Sequence, residues 1–209
     1  MSDKSKQIDA WRGDFGDNYT DRNTADPMRL ENSSRAFREI LGHVKDDPPR
    51  SILEVGANLG ANIRALKSVT DAELHAVEPN GKARDIMVSD GVLPAARVVD
   101  ATASNLPFSD GQIDLVFTAG VLIHIPHDNI EAAYREMHRV AGRFLLSIEY
   151  FSPTPVEVPY RGETDLLFKR DFGGLWLDLF DDLEHVANGF FWKRTTGLDD
   201  VTWWLFRKK

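Results

Sequence analysis

Ser51-Ile52-Leu53-Glu54-Val55-Gly56-Ala57-Asn58-Leu59-Gly60 is the stretch that decides the fold. Ser51–Val55 is a short, mostly apolar run and predicts a buried strand. Gly56 and Gly60 bracket a loop, and a helical pattern follows to about Lys67. Glycine lets such a loop turn sharply and come close to a ligand. A strand, a glycine loop and a helix in that order form the first half of a βαβ unit. A ligand held there lies at the carboxyl edge of the sheet. The loop varies the G-x-G-x-x-G theme, with Asn58 where the middle glycine would stand. A pyrophosphate needs that glycine for close approach. Asn58 therefore speaks against a nicotinamide or flavin dinucleotide and for a nucleoside without phosphates.

The same alternation continues outward. Glu73–Glu78 predicts a second strand, with Asn80 capping a helix to about Ser89. Arg97–Asp100 is a third, short strand. The turn Ser109-Asp110-Gly111 precedes a fourth, Gln112–Thr118. Asp128–Arg139 is helical, and Phe144–Tyr150 is a fifth strand. Strands alternating with helices imply a parallel sheet covered on both faces. Glu184–Trp192 and Val201–Arg207 are strand-like and separated by a short connection, so a hairpin closes the sheet. The prediction is an α/β fold: a doubly wound, seven-stranded mixed sheet with a C-terminal antiparallel hairpin.

Upstream, residues 1–26 are polar, with aromatics at Trp11, Phe15 and Tyr19. Asp26-Pro27 reads as a cap followed by proline at the first helical position. Phe37, Ile40, Leu41 and Val44 then share one helical face, and Asp46-Asp47-Pro48-Pro49 stops the helix. We expect one domain over 1–209. It divides into a leader and lid (1–26), a ligand-binding core (51–150), a lid insertion containing three prolines (151–171), and a helix with the closing hairpin (172–209).

Composition narrows the function. Lys plus Arg is 25 and Asp plus Glu is 33, a net charge of −8, with a pI of about 5.2. Nucleic-acid binders usually carry a basic face, so nucleic acid is not the expected partner. The chain has no cysteine, which removes disulfides, thiolate metal sites and cysteine nucleophiles. His124 and His127 are spaced like a metal pair. Pro126 lies between them and no acid completes a set, so no metal is expected. No apolar run reaches the ~20 residues that span a bilayer. The first residues lack the apolar core of a signal peptide. No membrane partner is expected, and a cytoplasmic protein is the default reading.

Two further strand tips carry acids. Glu78 ends the second strand, 22 positions after Gly56. An acid at that spacing accepts hydrogen bonds from ribose hydroxyls. Asp100-Ala101 ends the third strand, where an acid can accept from an adenine amino group. With the Glu54–Gly60 loop, these tips resemble the class I S-adenosylmethionine-dependent methyltransferases, whose sheet is Rossmann-like. The resemblance covers about Ser51 to Arg207. It implies that Glu54, Gly56, Asn58 and Gly60 hold the methionine part. Glu78 with Pro79 would take the ribose, and Asp100 with Ala101 the adenine. The stretch from Asn105 to Val116 is also similar to that superfamily's approach to its fourth strand, so the backbone from Ala119 would border the cofactor.

A narrower likeness comes from Trp11–Asn23, Leu122–Asn129, Tyr150–Gly162 and Lys169–Phe172. These segments resemble the pseudaminic acid biosynthesis-associated methylases. That implies methyl transfer from S-adenosylmethionine, leaving S-adenosylhomocysteine, near pathways of nonulosonic-acid-type sugars. His124 lies just beyond the fourth strand, and the intrinsic pKa of an imidazole suits proton transfer near neutrality, so it is the candidate base. Arg22 can pair with the methionine carboxylate or a substrate anion, and Tyr19 can line the methyl site. Tyr160, Arg161, Lys169 and Arg170 concentrate positive charge in an acidic chain. Guanidinium groups grip carboxylates and phosphates at two points, so these residues are candidates for binding an anionic small molecule. The acceptor is an oxygen or nitrogen, or the oxygen of a carboxylate- or phosphonate-bearing metabolite. A binding protein that kept the fold without turnover is the non-enzymatic alternative.

Overall fold

The structure is a computed structural model that describes residues 3–23, 26–159 and 167–209. Its centre is a seven-stranded sheet in the order β3-β2-β1-β4-β5-β9-β8. The strands are β1 (Ser51–Val55), β2 (Glu73–Val77), β3 (Val98–Val99), β4 (Ile113–Ala119), β5 (Ala141–Glu149), β8 (Leu183–Phe191) and β9 (Val201–Lys208). β3 through β5 run parallel. β9 is antiparallel to both β5 and β8, so the expected hairpin closes a mixed sheet. β1 is buried almost throughout, as a strand covered on both faces must be.

Side-chain alternation assigns each strand residue to one of two cores. Ile52, Leu115, Phe117, Phe144 and Leu146 meet α3 (Pro27–Gly42), α4 (Ala61–Leu66) and α5 (Gly81–Ser89) through Phe37, Ile63 and Met87. Leu53, Val55, Val116 and Leu145 meet α6 (His127–Val140) and α7 (Phe172–Leu179) through Tyr134, Met137 and Trp176. Two buried polar ties fix the second layer. The Trp176 indole donates to Ser147 Oγ at 2.9 Å, and the Tyr134 hydroxyl donates to the Phe172 carbonyl at 2.8 Å.

The local signals resolve as residues predict. The Asp26 side chain accepts from the amide of Met28, with Pro27 in the first turn of α3. Asn80 caps α5 by accepting from the amide of Ala83 at 2.9 Å. β3 is shorter than its sequence pattern, because a 3₁₀ turn at Ala95–Arg97 follows Pro94 directly. β5 starts at Ala141, earlier than the apolar run, because it takes over the chain as α6 ends.

The leader is helical: α1 (Asp3–Arg12) and α2 (Asp14–Arg22). After β5 the chain pairs β6 (Val156–Glu157) with β7 (Phe168–Lys169) in a small antiparallel sheet. α8 (Lys193–Thr196) links β8 to β9. Among the described residues, no helix is long and apolar enough to cross a membrane.

Candidate active site

Strand order reverses between β1 and β4, and the crevice at such a switch point is where open α/β sheets bind ligands. A cavity of about 470 Å³ lies there, within the range of small-molecule sites. Its floor is the loop after β1. Gly56, Asn58 and Gly60 all have positive φ, at 78°, 47° and 76°. Two of them are glycines, for which this costs little. Asn58 manages it with a local bond: its side-chain Oδ1 accepts from the amide of Leu59 at 2.6 Å. A Cβ on Gly56 would lie 2.6 Å from Val121 Cγ2, so the loop and the segment after β4 are in close contact.

Glu78 fastens this loop to the second strand tip. One carboxylate oxygen accepts from the amide of Asn58 at 2.7 Å, the other from Asn80 at 2.8 Å. Burial still pushes its pKa up, against the pull of those two amides. Glu54 sits deeper. Asn62 donates to one of its oxygens at 2.7 Å, and the other, buried, has no hydrogen-bond partner among the described residues. Burial raises its pKa to about 8. The protonated state is thus favoured at neutral pH, and an arriving cation would restore the charge.

The leader forms the roof. The Asn80 side-chain amide donates to the Trp11 carbonyl at 3.1 Å and to Asp17 Oδ1 at 2.8 Å. Lys82 pairs with Asp21 at 2.5 Å. The Arg12 guanidinium grips both oxygens of Asp100, at 2.6 and 3.2 Å, and Arg84 reaches the same carboxylate at 3.0 Å. Asp100 therefore ties the leader to the third strand tip, and its neighbour Ala101 lines the cavity. The Trp11 ring lies 5.0 Å from that of His124 and 5.3 Å from that of Tyr19.

The structure brings together most of the residues singled out from sequence. Tyr19, Glu54, Gly56, Asn58, Glu78, Pro79, Ala101, Ala119 and His124 all line the cavity. Gly60 turns the chain into α4 behind it, against Met87 and Val92. Arg22 stacks over the Tyr19 ring at 5.9 Å, one layer out. Lys169 sits with its Nζ 5.2 Å over the ring of Tyr150, itself a lining residue. Arg170 is not at the surface, as a residue of an exposed lid would be. It is 4% exposed, held between the rings of Phe168 and Phe172, with an Nη 3.5 Å from His127 Nδ1. Tyr160 and Arg161 lie outside the described residues.

Several lining residues carried no signal in the sequence that pointed to a site. Ile148, Phe191, Leu198 and Val201 bring β5, β8 and β9 to the cavity, together with Leu30 and Phe37 of α3. Only the three-dimensional meeting of distant elements reveals them. Trp11, an aromatic of the leader, and Asn62, which the sequence did not single out, line the cavity as well.

Comparison with known proteins agrees with this geometry. Residues 53–143 match the family described as "Methyltransferase domain". The 1,6-didemethyltoxoflavin-N1-methyltransferase of Burkholderia thailandensis, solved with 1,6-didemethyltoxoflavin and S-adenosylhomocysteine, is similar over 100% of this chain and 92% of that one. Its TM-score is 0.73 at 17% identity. The magnesium protoporphyrin IX methyltransferase of Synechocystis, solved with S-adenosylmethionine, is similar over 100% and 98%, with a TM-score of 0.68 at 13% identity. A methyltransferase of Leishmania major covers 97% of this chain and 82% of its own, with a TM-score of 0.70 at 13% identity. Residues 53–143 match the methyltransferase-domain family, and the chain as a whole shares its fold with solved S-adenosylmethionine-dependent methyltransferases.

Proposed function

We propose that this chain is an S-adenosylmethionine-dependent methyltransferase that acts on an oxygen or nitrogen of an anionic small molecule. The observation that carries the reading is one cavity that joins the Gly56–Asn58 loop, the acids Glu54 and Glu78, and His124. The residues fit the cofactor on chemical grounds. The unpartnered oxygen of Glu54 is a buried acceptor suited to an ammonium group. Glu78 is placed for ribose hydroxyls, beside Pro79. Ala101, next to Asp100, borders the space for a purine. Ala119 and the Gly56, Asn58 and Gly60 loop would hold the methionine part, with Tyr19 and Arg22 closing over it.

When bound, S-adenosylmethionine supplies an electrophilic methyl group on a sulfonium whose departure is neutral. The chain then has to align the acceptor and exclude water, and such positioning supplies ~7–11 kcal/mol. His124 takes the proton if the acceptor is an alcohol or an ammonium. A carboxylate or phosphonate oxygen needs no base, and a metabolite of that kind is the alternative acceptor. Lys169 has no carboxylate partner among the described residues and stands over Tyr150 at the cavity wall. It supports an anionic acceptor, with Tyr160, Arg161 and Arg170 as further contributors. The resemblance to pseudaminic acid-associated methylases suggests a nonulosonic-acid-type sugar or its precursor.

The test has two parts. Calorimetry should show S-adenosylhomocysteine binding that Glu78→Ala weakens. Wild-type protein that takes up no S-adenosylhomocysteine overturns the reading. An acceptor screen on metabolite pools split by anion exchange should then release S-adenosylhomocysteine from the anionic pool. Turnover confined to the neutral or cationic pools overturns the anionic substrate.

A further inference from the structure

We infer that Glu149 is the positioning residue for His124: its buried carboxylate holds the backbone turn that presents the imidazole to the cavity. Glu149 is the last residue of β5 and has no exposed surface. One oxygen accepts from the amides of Val121 and Leu122, each at 3.1 Å, and the other from the amide of Ile123 at 3.4 Å. These are the three residues directly before His124.

The arrangement continues a strand ladder by other means. Regular pairing between β4 and β5 reaches Ala119 opposite Ile148, and the amide of Gly120 still donates to the Ile148 carbonyl at 2.9 Å. There the chain leaves the sheet. The next three amides lose a backbone partner, and the Glu149 side chain supplies the acceptors instead. Gly120, Val121, Ile123 and His124 all line the cavity, so the turn is a wall of the site.

A carboxylate is a costly way to do this. Burial raises the Glu149 pKa to about 7, even against the amides that favour its charge. The phenol of Tyr134 faces it from α6 but donates to the Phe172 carbonyl. A carboxylate offers what a neutral side chain cannot: acceptors at both ends and no donor. Glutamine would turn an N–H₂ toward backbone N–H groups. The precision matters, because displacing a reacting group by ~1 Å can cost about 100-fold in rate. The inference depends on the methyl-transfer reading only for the use to which His124 is put.

The test is NMR of the apo protein, with E149Q and E149D. E149Q should shift the His124 ring resonances and those of the Trp11 indole that packs against it at 5.0 Å, and leave those of His138 in place. E149D, which keeps the carboxylate, should return the His124 signals toward wild type. His124 signals that do not move in E149Q overturn the inference. Should E149Q not fold, wild type decides. The amide protons of Val121, Leu122 and Ile123 should titrate with one midpoint, that of the Glu149 carboxyl carbon, and separate midpoints overturn it. Failure of wild type to bind S-adenosylhomocysteine sinks the methyl-transfer reading alone, since the ring and amide signals need no ligand.

Discussion

Glu54→Gln should stabilise the apo protein, and by an amount that grows with pH. Glu54 is buried at 2% exposure, with one oxygen on Asn62 and the other without a partner among the described residues. Its pKa rises from 4.5 to about 8 on folding, chiefly through burial. The unfolded chain therefore sheds this proton first. Between 4.5 and about 8, each pH unit costs the folded state about 1.4 kcal/mol. Glutamine copies the shape of the protonated carboxyl and never ionises. The variant should match wild type near pH 4.5, lead by about 1 kcal/mol at pH 5.5 and by about 3 at pH 7. It should level off near 5 kcal/mol above pH 8. Urea unfolding of both proteins at pH 5.5, 7 and 8.5 measures this directly, with the difference in midpoint multiplied by the common slope. A difference that is the same at pH 5.5 and 8.5 would show that Glu54 is not held protonated. The reasoning from its burial would then be refuted.

Three further outcomes follow from the geometry. Gly56→Ala places a Cβ 2.6 Å from Val121 Cγ2 at a φ of +78°. It should lower stability by about 1–2 kcal/mol, and calorimetry should show weakened S-adenosylhomocysteine binding. Trp176→Phe removes the indole that donates to Ser147 Oγ in the core. It should cost about 1–3 kcal/mol in denaturant unfolding, because a buried hydroxyl is left unpaired. Arg12→Ala breaks an ion pair in which both side chains are 42% exposed. Global stability should fall by less than ~1 kcal/mol, while hydrogen exchange in α1 and α2 should accelerate measurably.

The sheet was legible because each of its signals is local. Ser51–Val55 and Gln112–Thr118 are short apolar runs bounded by turn residues, and Asp26, Pro27 and Asn80 mark helix starts by the atoms they offer. The tip acids Glu54, Glu78 and Asp100 could be placed because strand ends are fixed once strands are found. What escaped depends on long-range closure. Arg170 reads as a lid cation in a run of charge, yet two phenylalanines bury it, one on either side in sequence. Val201 and Phe191 reach the cavity only because β9 and β8 complete the sheet. Glu149 looks like one more residue at the end of a strand. Its use depends on three amides 26 to 28 positions earlier. The leader's polar composition hid two helices, whose support comes from docking through Trp11 rather than from their own apolar faces.

The roof over the cavity has an energetic consequence of its own. Its anchors are the Asn80 amide, the Lys82–Asp21 pair and the Arg12 fork on Asp100, all polar and mostly near solvent. The sheet beneath is held by two continuous apolar cores. Opening α1 and α2 is therefore far cheaper than any breathing of the core, and it belongs to the low-stability end of the molecule. Residence time in the cavity should then depend on how often these polar fasteners release together with the Trp11–His124 ring contact. Because exposed ion pairs weaken as salt screens them, turnover of occupants should quicken with ionic strength while the melting temperature barely moves.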